Sequence, residues 1–210
     1  MKKLFFSIIA VSTIVFTACN NSSTKTETEK HDMGTMSKDS MPQAATPVDK
    51  EVKAVTVAYM NVDAKVAASI KEMVDHYLHI KNALANDNGS EAASGAKAME
   101  AVISKLDKSF FTAEQKKVYD EIEADLKEHA EHIGKNGDKI KHQRSHFASL
   151  SEDVYELVKA FGGGRALYHD HCPMYNDNKG AMWISELKEV KNPYYGAEML
   201  TCGTVEEVIQ

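Results

Sequence analysis

Basic clusters are missing from this chain. Lysine and arginine number 25 against 31 acidic residues, a formal net charge of −6, and no stretch concentrates the positive charge. That balance excludes the electrostatic footprint of a nucleic-acid binder. It also excludes adhesion to anionic lipid by charge alone. No glycine-rich phosphate loop follows a strand, because Gly162-Gly163-Gly164 comes after a helical pattern and reads as a linker. No Ser/His/Asp arrangement stands out, and Cys172 beside His171 has no evident orienting third group, so the chain reads as a non-enzyme. No Cys-x-x-Cys-His occurs, which removes the signature of covalent haem attachment. Cysteine is scarce, with only three in 210 residues.

The one long apolar run is Leu4 to Phe16, behind Lys2 and Lys3. It is short for a membrane span and has no stop-transfer flank, so residues 1–18 read as an export signal. The run ends in Phe16-Thr17-Ala18-Cys19, which resembles a bacterial lipobox. That resemblance implies lipidation of Cys19 and a cell-envelope location, anchored to the membrane and facing the periplasm or the exterior. One cysteine spent on the anchor leaves a pair, Cys172 and Cys202.

Residues 19–58 are rich in Asn, Ser, Thr, Lys and Glu and read as a disordered tether. His31, Met33, Met36 and Met41 lie in it. Thioethers normally fill cores, so their presence here suggests capture of a soft cation.

Residues 59–161 carry four helical patterns. The first, about Asp63 to Asn86, has Val66, Ile70, Met73, Tyr77, Ile80 and Leu84 alternating four and three apart, with Asp63 as N-cap. The second starts near Ser90 and carries Ala92, Ala96, Met99, Ile103 and Leu106. The third opens with a Thr112/Gln115 capping box and carries Tyr119, Ile122, Leu126, His129 and Ile133. The fourth, capped by Asp138, carries Ile140, Gln143, Phe147, Leu150, Val154, Leu157 and Phe161. The expected fold is therefore all-α: an antiparallel four-helix up-down-up-down bundle. An irregular, turn-rich tail, residues 162–210, with Ala181-Met182-Trp183-Ile184 as a short strand or turn, would pack on it with Trp183 as anchor and a metal site inside.

The tail concentrates donors. His169, His171, Cys172 and Met174 fall within six positions, and Met199 and Cys202 follow near the end. Thiolate, thioether and imidazole together suit copper(I), with silver or zinc as alternatives. Pro173 keeps Cys172 extended, so Cys172 and Met174 can share a face. Met199 and Cys202 are three apart, the spacing of one helical turn. The competing reading is a Cys172–Cys202 disulfide, which in the chain-entropy model would stabilise by ~3–4 kcal/mol and leave a helical interaction module with no metal. A secondary metal site is suggested by His129, His132, His142 and His146, which a hairpin turning near Asn136 would gather at one end of the bundle.

Several motifs resemble an uncharacterised bacterial domain family of Bacteroidetes-type organisms. They are Tyr77-Leu78-His79-Ile80-Lys81-Asn82-Ala83-Leu84 and His142-Gln143-Arg144-Ser145-His146-Phe147 with Leu150-Ser151. In the tail they are His171-Cys172-Pro173-Met174, Gly180 to Ser185, Asn192-Pro193-Tyr194-Tyr195-Gly196 and Met199-Leu200-Thr201-Cys202-Gly203. The family occurs as stand-alone exported proteins or attached to periplasmic adaptor subunits of copper/silver efflux pumps. The resemblance implies a copper-handling context, with an efflux adaptor or a metal-accepting envelope protein as partner.

Overall fold

The computed structural model describes residues 52–210. The expectations for the signal segment, Cys19, and the tether donors His31, Met33, Met36 and Met41 lie outside these residues. Four long helices make up most of the described chain: α1 (Ala64–Ala85), α2 (Gly89–Lys105), α3 (Ala113–Lys135) and α4 (Ile140–Phe161). Their apolar stripes meet in one core. Val66, Ile70, Met73, Tyr77, Ile80 and Leu84 of α1 are all buried, as are Ala92, Ala96, Met99 and Ile103 of α2. Tyr119, Leu126 and Ile133 of α3 join Phe147, Leu150, Val154, Leu157 and Phe161 of α4 in the same core. A 4-3-4-3 spacing keeps these residues on one face of a helix, which is why the stripe and the core coincide.

The helix ends follow local chemistry. Asp63 accepts the Lys65 N–H at 2.8 Å, and Thr112 and Gln115 form the reciprocal capping box. Helix α4 departs from expectation. Its N-cap is Lys139, with no side-chain cap bond, rather than Asp138. The turn is closed by backbone instead, the Lys139 N–H donating to Asn136 C=O at 2.9 Å.

The all-α expectation is wrong, because the C-terminal region is a sheet and not an irregular tail. Four strands, β1 (Lys53–Val55), β2 (Leu167–Cys172), β3 (Ala181–Ser185) and β4 (Thr204–Ile209), line up in the order β1-β4-β2-β3. β2 pairs antiparallel with both β3 and β4, and β1 lies parallel to β4, so the sheet is mixed. β1 comes from the end of the segment read as tether. The strands are three to six residues long. Single strands that short show little periodicity in sequence, and the pairing that stabilises them joins residues far apart in the chain.

β3 is an edge strand, and two tyrosines cover its free side. The Ile184 N–H donates to Tyr77 Oη at 3.0 Å, and Tyr194 Oη donates to Met182 C=O. Residues 182 and 184 point their backbone groups the same way, outward from β2. Capping them with side chains removes a template for edge-to-edge pairing.

One buried group sets a pH dependence. Asp153 Oδ2 on α4 is buried without a hydrogen-bond partner among the described residues. Burial first, then the neighbouring carboxylates Asp125 and Glu152, push its carboxyl up to about 7. The folded chain therefore holds a proton that the unfolded chain releases from ~4 upward, so this group's contribution to stability falls as pH rises toward 7. Relative to wild type, Asp153→Asn should gain stability between pH 4 and pH 8, by at most ~4 kcal/mol. Paired thermal melts at the two pH values measure the gain. A wild-type-minus-variant difference that does not change with pH would remove the assignment.

Candidate functional site

The cysteines meet because of the β2–β4 register. His171 stands opposite Thr204, so the residue after His171 lies beside the segment that leads into β4. Cys172 ends β2, fully buried, and Cys202 sits two residues before β4, half-buried. Their Sγ atoms are 3.5 Å apart, and both thiols are free. Pro173 ends the strand. A short helical turn, Tyr175–Asn178, follows, with left-handed backbone at Asn176, Asp177 and Asn178, and Gly180 at φ +84° leads into β3. This loop sets Met174 Sδ 3.8 Å from Cys202 Sγ, and Met174 is 44% exposed. The Tyr195 hydroxyl fixes the loop by donating to Met174 C=O at 3.0 Å.

The remaining tail donors are placed differently. Met199 follows a 3-10 turn, Gly196–Glu198, and approaches through its backbone, its C=O accepting the Cys202 N–H at 3.0 Å. The expected helical turn between them is present as that single bond. His169 and His171 alternate with Cys172 along β2, so the pleat directs them to the opposite face. His169 stacks on Tyr155, with ring centroids 4.7 Å apart, and its Nδ1 lies 3.9 Å from Glu206. Burial lowers its pKa, against the raising effect of Glu206 and Glu207. His171 Nδ1 is 3.6 Å from Glu206. The sheet thus separates the sulfur donors from the two imidazoles.

The sulfur trio has the chemistry and the spacing of a soft-metal chelate. Two thiolates on one ion at ~2.3 Å and a tetrahedral angle stand ~3.8 Å apart, close to the separation here. Without metal, burial pushes the Cys202 thiol up, and the neighbouring Cys172 adds to that shift. Loading a metal must therefore displace protons from the pair.

Asn192 carries a role that sequence reasoning missed. In the sequence it is only the first residue of the Asn192-Pro193-Tyr194-Tyr195-Gly196 motif, yet it is fully buried and organises the site. Its Nδ2 donates to Cys202 C=O at 2.7 Å, and its Oδ1 accepts the N–H groups of Tyr194 at 2.8 Å and Tyr195 at 3.2 Å. The signal available was an asparagine before proline in a motif that lies just ahead of the one supplying Cys202. Asn192→Ala should cost ~1–3 kcal/mol by leaving these groups unpaired, and should loosen Cys202 against Cys172. Denaturant titration checks the first effect, and the rate of thiol alkylation at Cys202 checks the second.

A second cluster lies on the α3–α4 hairpin. Ligand nitrogens of His132, His142 and His146 all fall within 4.8 Å of one another. The His132 and His146 rings stack with centroids 4.2 Å apart, and His142 meets His146 edge-on at 4.6 Å. His129 joins through its Nδ1, 3.2 Å from His146 Nδ1. Burial, then His132, His142 and His129, hold His146 down at about 4. Burial also lowers His129, against the raising effect of Glu128 and Asp125.

No helix among the described residues is long and apolar enough to cross a membrane. No curated protein and no solved structure matches the chain. Residues 73–165, from the middle of α1 to just past α4, match the family described as Protein of unknown function (DUF3347), which places the histidine cluster inside the match and both cysteines beyond it.

Proposed function

We propose that this protein binds a soft metal ion, copper(I) first and silver(I) as an alternative, through Cys172, Cys202 and Met174. The reading rests on one observation: Cys202 Sγ lies 3.5 Å from Cys172 Sγ and 3.8 Å from Met174 Sδ, where the end of β2 meets the segment leading into β4. Three soft donors with one thioether open to solvent suit capture and release better than a sealed structural site. Met199 is the reserve thioether, and His169 and His171 would need the strand to twist before they could join. The resemblance to a family attached to copper/silver efflux adaptors in Bacteroidetes-type bacteria fits this reading. So does the lipobox-like end of the export signal, which would place the protein in the cell envelope on a lipid at Cys19. The tether's His31, Met33, Met36 and Met41 would then gather ions for the site or pass them to an efflux adaptor or another metal-accepting envelope protein. The protein is a carrier or buffer of metal, with no reaction of its own.

The test is a titration of the reduced full chain with copper(I) against a competing chelator. Cys172→Ser with Cys202→Ser should weaken binding by ~10²-fold, about 2.7 kcal/mol. Unchanged affinity in that variant overturns the assignment. The same 3.5 Å contact also supports a second reading, a disulfide-stapled interaction module, because closing to the ~2.05 Å of a disulfide needs little movement. Thiol counting on protein taken from its native compartment separates the two. Free thiols with bound metal support chelation, and blocked thiols without metal support the staple.

A further inference from the structure

The α3–α4 hairpin holds a donor set of a different kind from the sulfur trio. Four of the chain's nine histidines lie on the facing sides of these two consecutive helices. The hairpin is held by backbone and side-chain bonds close to the rings. Asn136 Nδ2 donates to His132 C=O at 2.8 Å, and the buried Gln143 Nε2 donates to Ile133 C=O at 3.1 Å. These bonds fix where α3 ends relative to where α4 begins. His142 and His146, four apart on α4, therefore face His129 and His132, three apart on α3.

We infer that His132, His142 and His146 form a three-imidazole site for a divalent first-row transition ion, Zn2+ or Cu2+, with His129 as the residue that positions His146. Three nitrogens on one tetrahedral ion at ~2.0–2.1 Å stand ~3.3 Å apart. The observed spread of up to 4.8 Å closes by ring rotation, because His142 is exposed and His132 only half-buried. Imidazole donors suit Zn2+ and Cu2+, whereas the thiolate and thioether set of the tail suits copper(I). The two sites thus differ in the ion they select, and neither needs the other. Three protein ligands leave one coordination position, and the exposed edge of the cluster gives it to solvent or to a donor from outside.

His129 acts behind His146. A nitrogen that shares the 3.2 Å contact between the two Nδ1 atoms cannot also hold the ion. In the ligating arrangement His146 therefore donates its Nδ1–H to His129 Nδ1 and presents Nε2 to the metal. Ligating imidazoles characteristically donate their second N–H in this way, and the bond sets tautomer and ring orientation.

Cobalt(II) is the probe, added to the full chain and to the full chain carrying Cys172→Ser and Cys202→Ser. The expected result is one ion per chain with the intense visible absorption of a tetrahedral centre and no sulfur-to-cobalt charge transfer in the protein carrying Cys172→Ser and Cys202→Ser, with the same band present in the full chain beside whatever the tail sulfurs add. His129→Ala should weaken binding by ~10–100-fold, and His129→Asn, which keeps an acceptor near the Nδ1 position, should restore part of it. His142→Ala should weaken binding by more than His129→Ala. His142 is exposed, so that variant keeps its metal-free melting temperature, which guards against reading misfolding as lost ligation. Three results would each overturn the inference: the faint spectrum of an octahedral centre, an absorption that disappears with the cysteines, or His142→Ala and His146→Ala proteins that bind cobalt as the parent does.

Discussion

Tyr77→Ala should destabilise the protein by ~3–5 kcal/mol, the range for removing a fully buried ring. For a domain of this size that lowers the melting temperature by roughly 10–15 °C. The ring is fully buried and stacks on Phe147 with centroids 5.1 Å apart. Its hydroxyl links three elements. Ser151 Oγ donates to Phe147 C=O at 2.7 Å, which commits the serine proton, so Tyr77 must donate to Ser151 Oγ at 2.8 Å. Tyr77 Oη is then free to accept the Ile184 N–H at 3.0 Å. The chain runs from the edge of β3 through α1 to α4. Burial pushes the phenol well above its ordinary range, so it stays protonated and keeps donating. Tyr77→Phe isolates the polar part. It keeps the ring, leaves the Ile184 N–H without its partner, and should cost ~1–3 kcal/mol. Denaturant unfolding of the two variants measures both terms. Equal costs for phenylalanine and alanine would show that the ring contributes nothing, and a negligible cost for phenylalanine would show that the Ile184 contact is not made in solution.

That junction also marks how far sequence reading reached. Tyr77 was legible as a core residue because it sits in a 4-3-4-3 stripe, and helical periodicity repeats within a few residues of itself. Its role as an edge cap was not, since nothing in residues 77 and 184 shows that they meet. Most of the sheet is out of reach for the same reason; only Ala181-Met182-Trp183-Ile184 reads as a short strand or turn, and it is β3. Thr204-Val205-Glu206-Glu207-Val208-Ile209 alternates imperfectly, because a register shift opposite His169/Asp170 interrupts the pairing. Leu167 to Cys172, expected to belong to an irregular tail, is the strand shared by β3 and β4. The convergence of Cys172, Met174 and Cys202 was anticipated from residue chemistry, yet what brings them together is the β2–β4 register. The same register, with its pleat, sends His169 and His171 away from the sulfur atoms. The histidine cluster was more readable, since two helices joined by a tight turn leave few ways to place i, i+3 and i, i+4 pairs.

Glu186→Ala should be as damaging as the loss of the Tyr77 ring, at ~3–5 kcal/mol, because it strands a buried charge. Lys81 is fully buried on α1, and its Nζ lies 2.8 Å from Glu186 Oε2 and 3.3 Å from Ser185 Oγ at the end of β3. Glu186 also accepts Asn82 Nδ2 at 2.8 Å. Burial works to raise the Glu186 carboxyl, but the bonds from Asn82 and Lys81 outweigh it and hold the group below its ordinary value. Asp170, buried nearby on β2 and pushed up to about 8 by burial against the pull of Lys81, is a poor substitute counter-charge. A buried pair repays little of its desolvation, so removing both members is cheaper than removing one. Lys81→Met with Glu186→Leu should therefore recover most of the stability that Glu186→Ala loses and come out close to neutral or stabilising by ~1–4 kcal/mol, whereas Lys81→Met alone should be destabilising, because it leaves the Glu186 carboxylate without its cation. A double-mutant cycle by denaturant unfolding gives the coupling directly. If Glu186→Ala costs less than ~1 kcal/mol, Lys81 is reaching water, and the ionic tie between α1 and the sheet is not part of what holds the sulfur site against the helices.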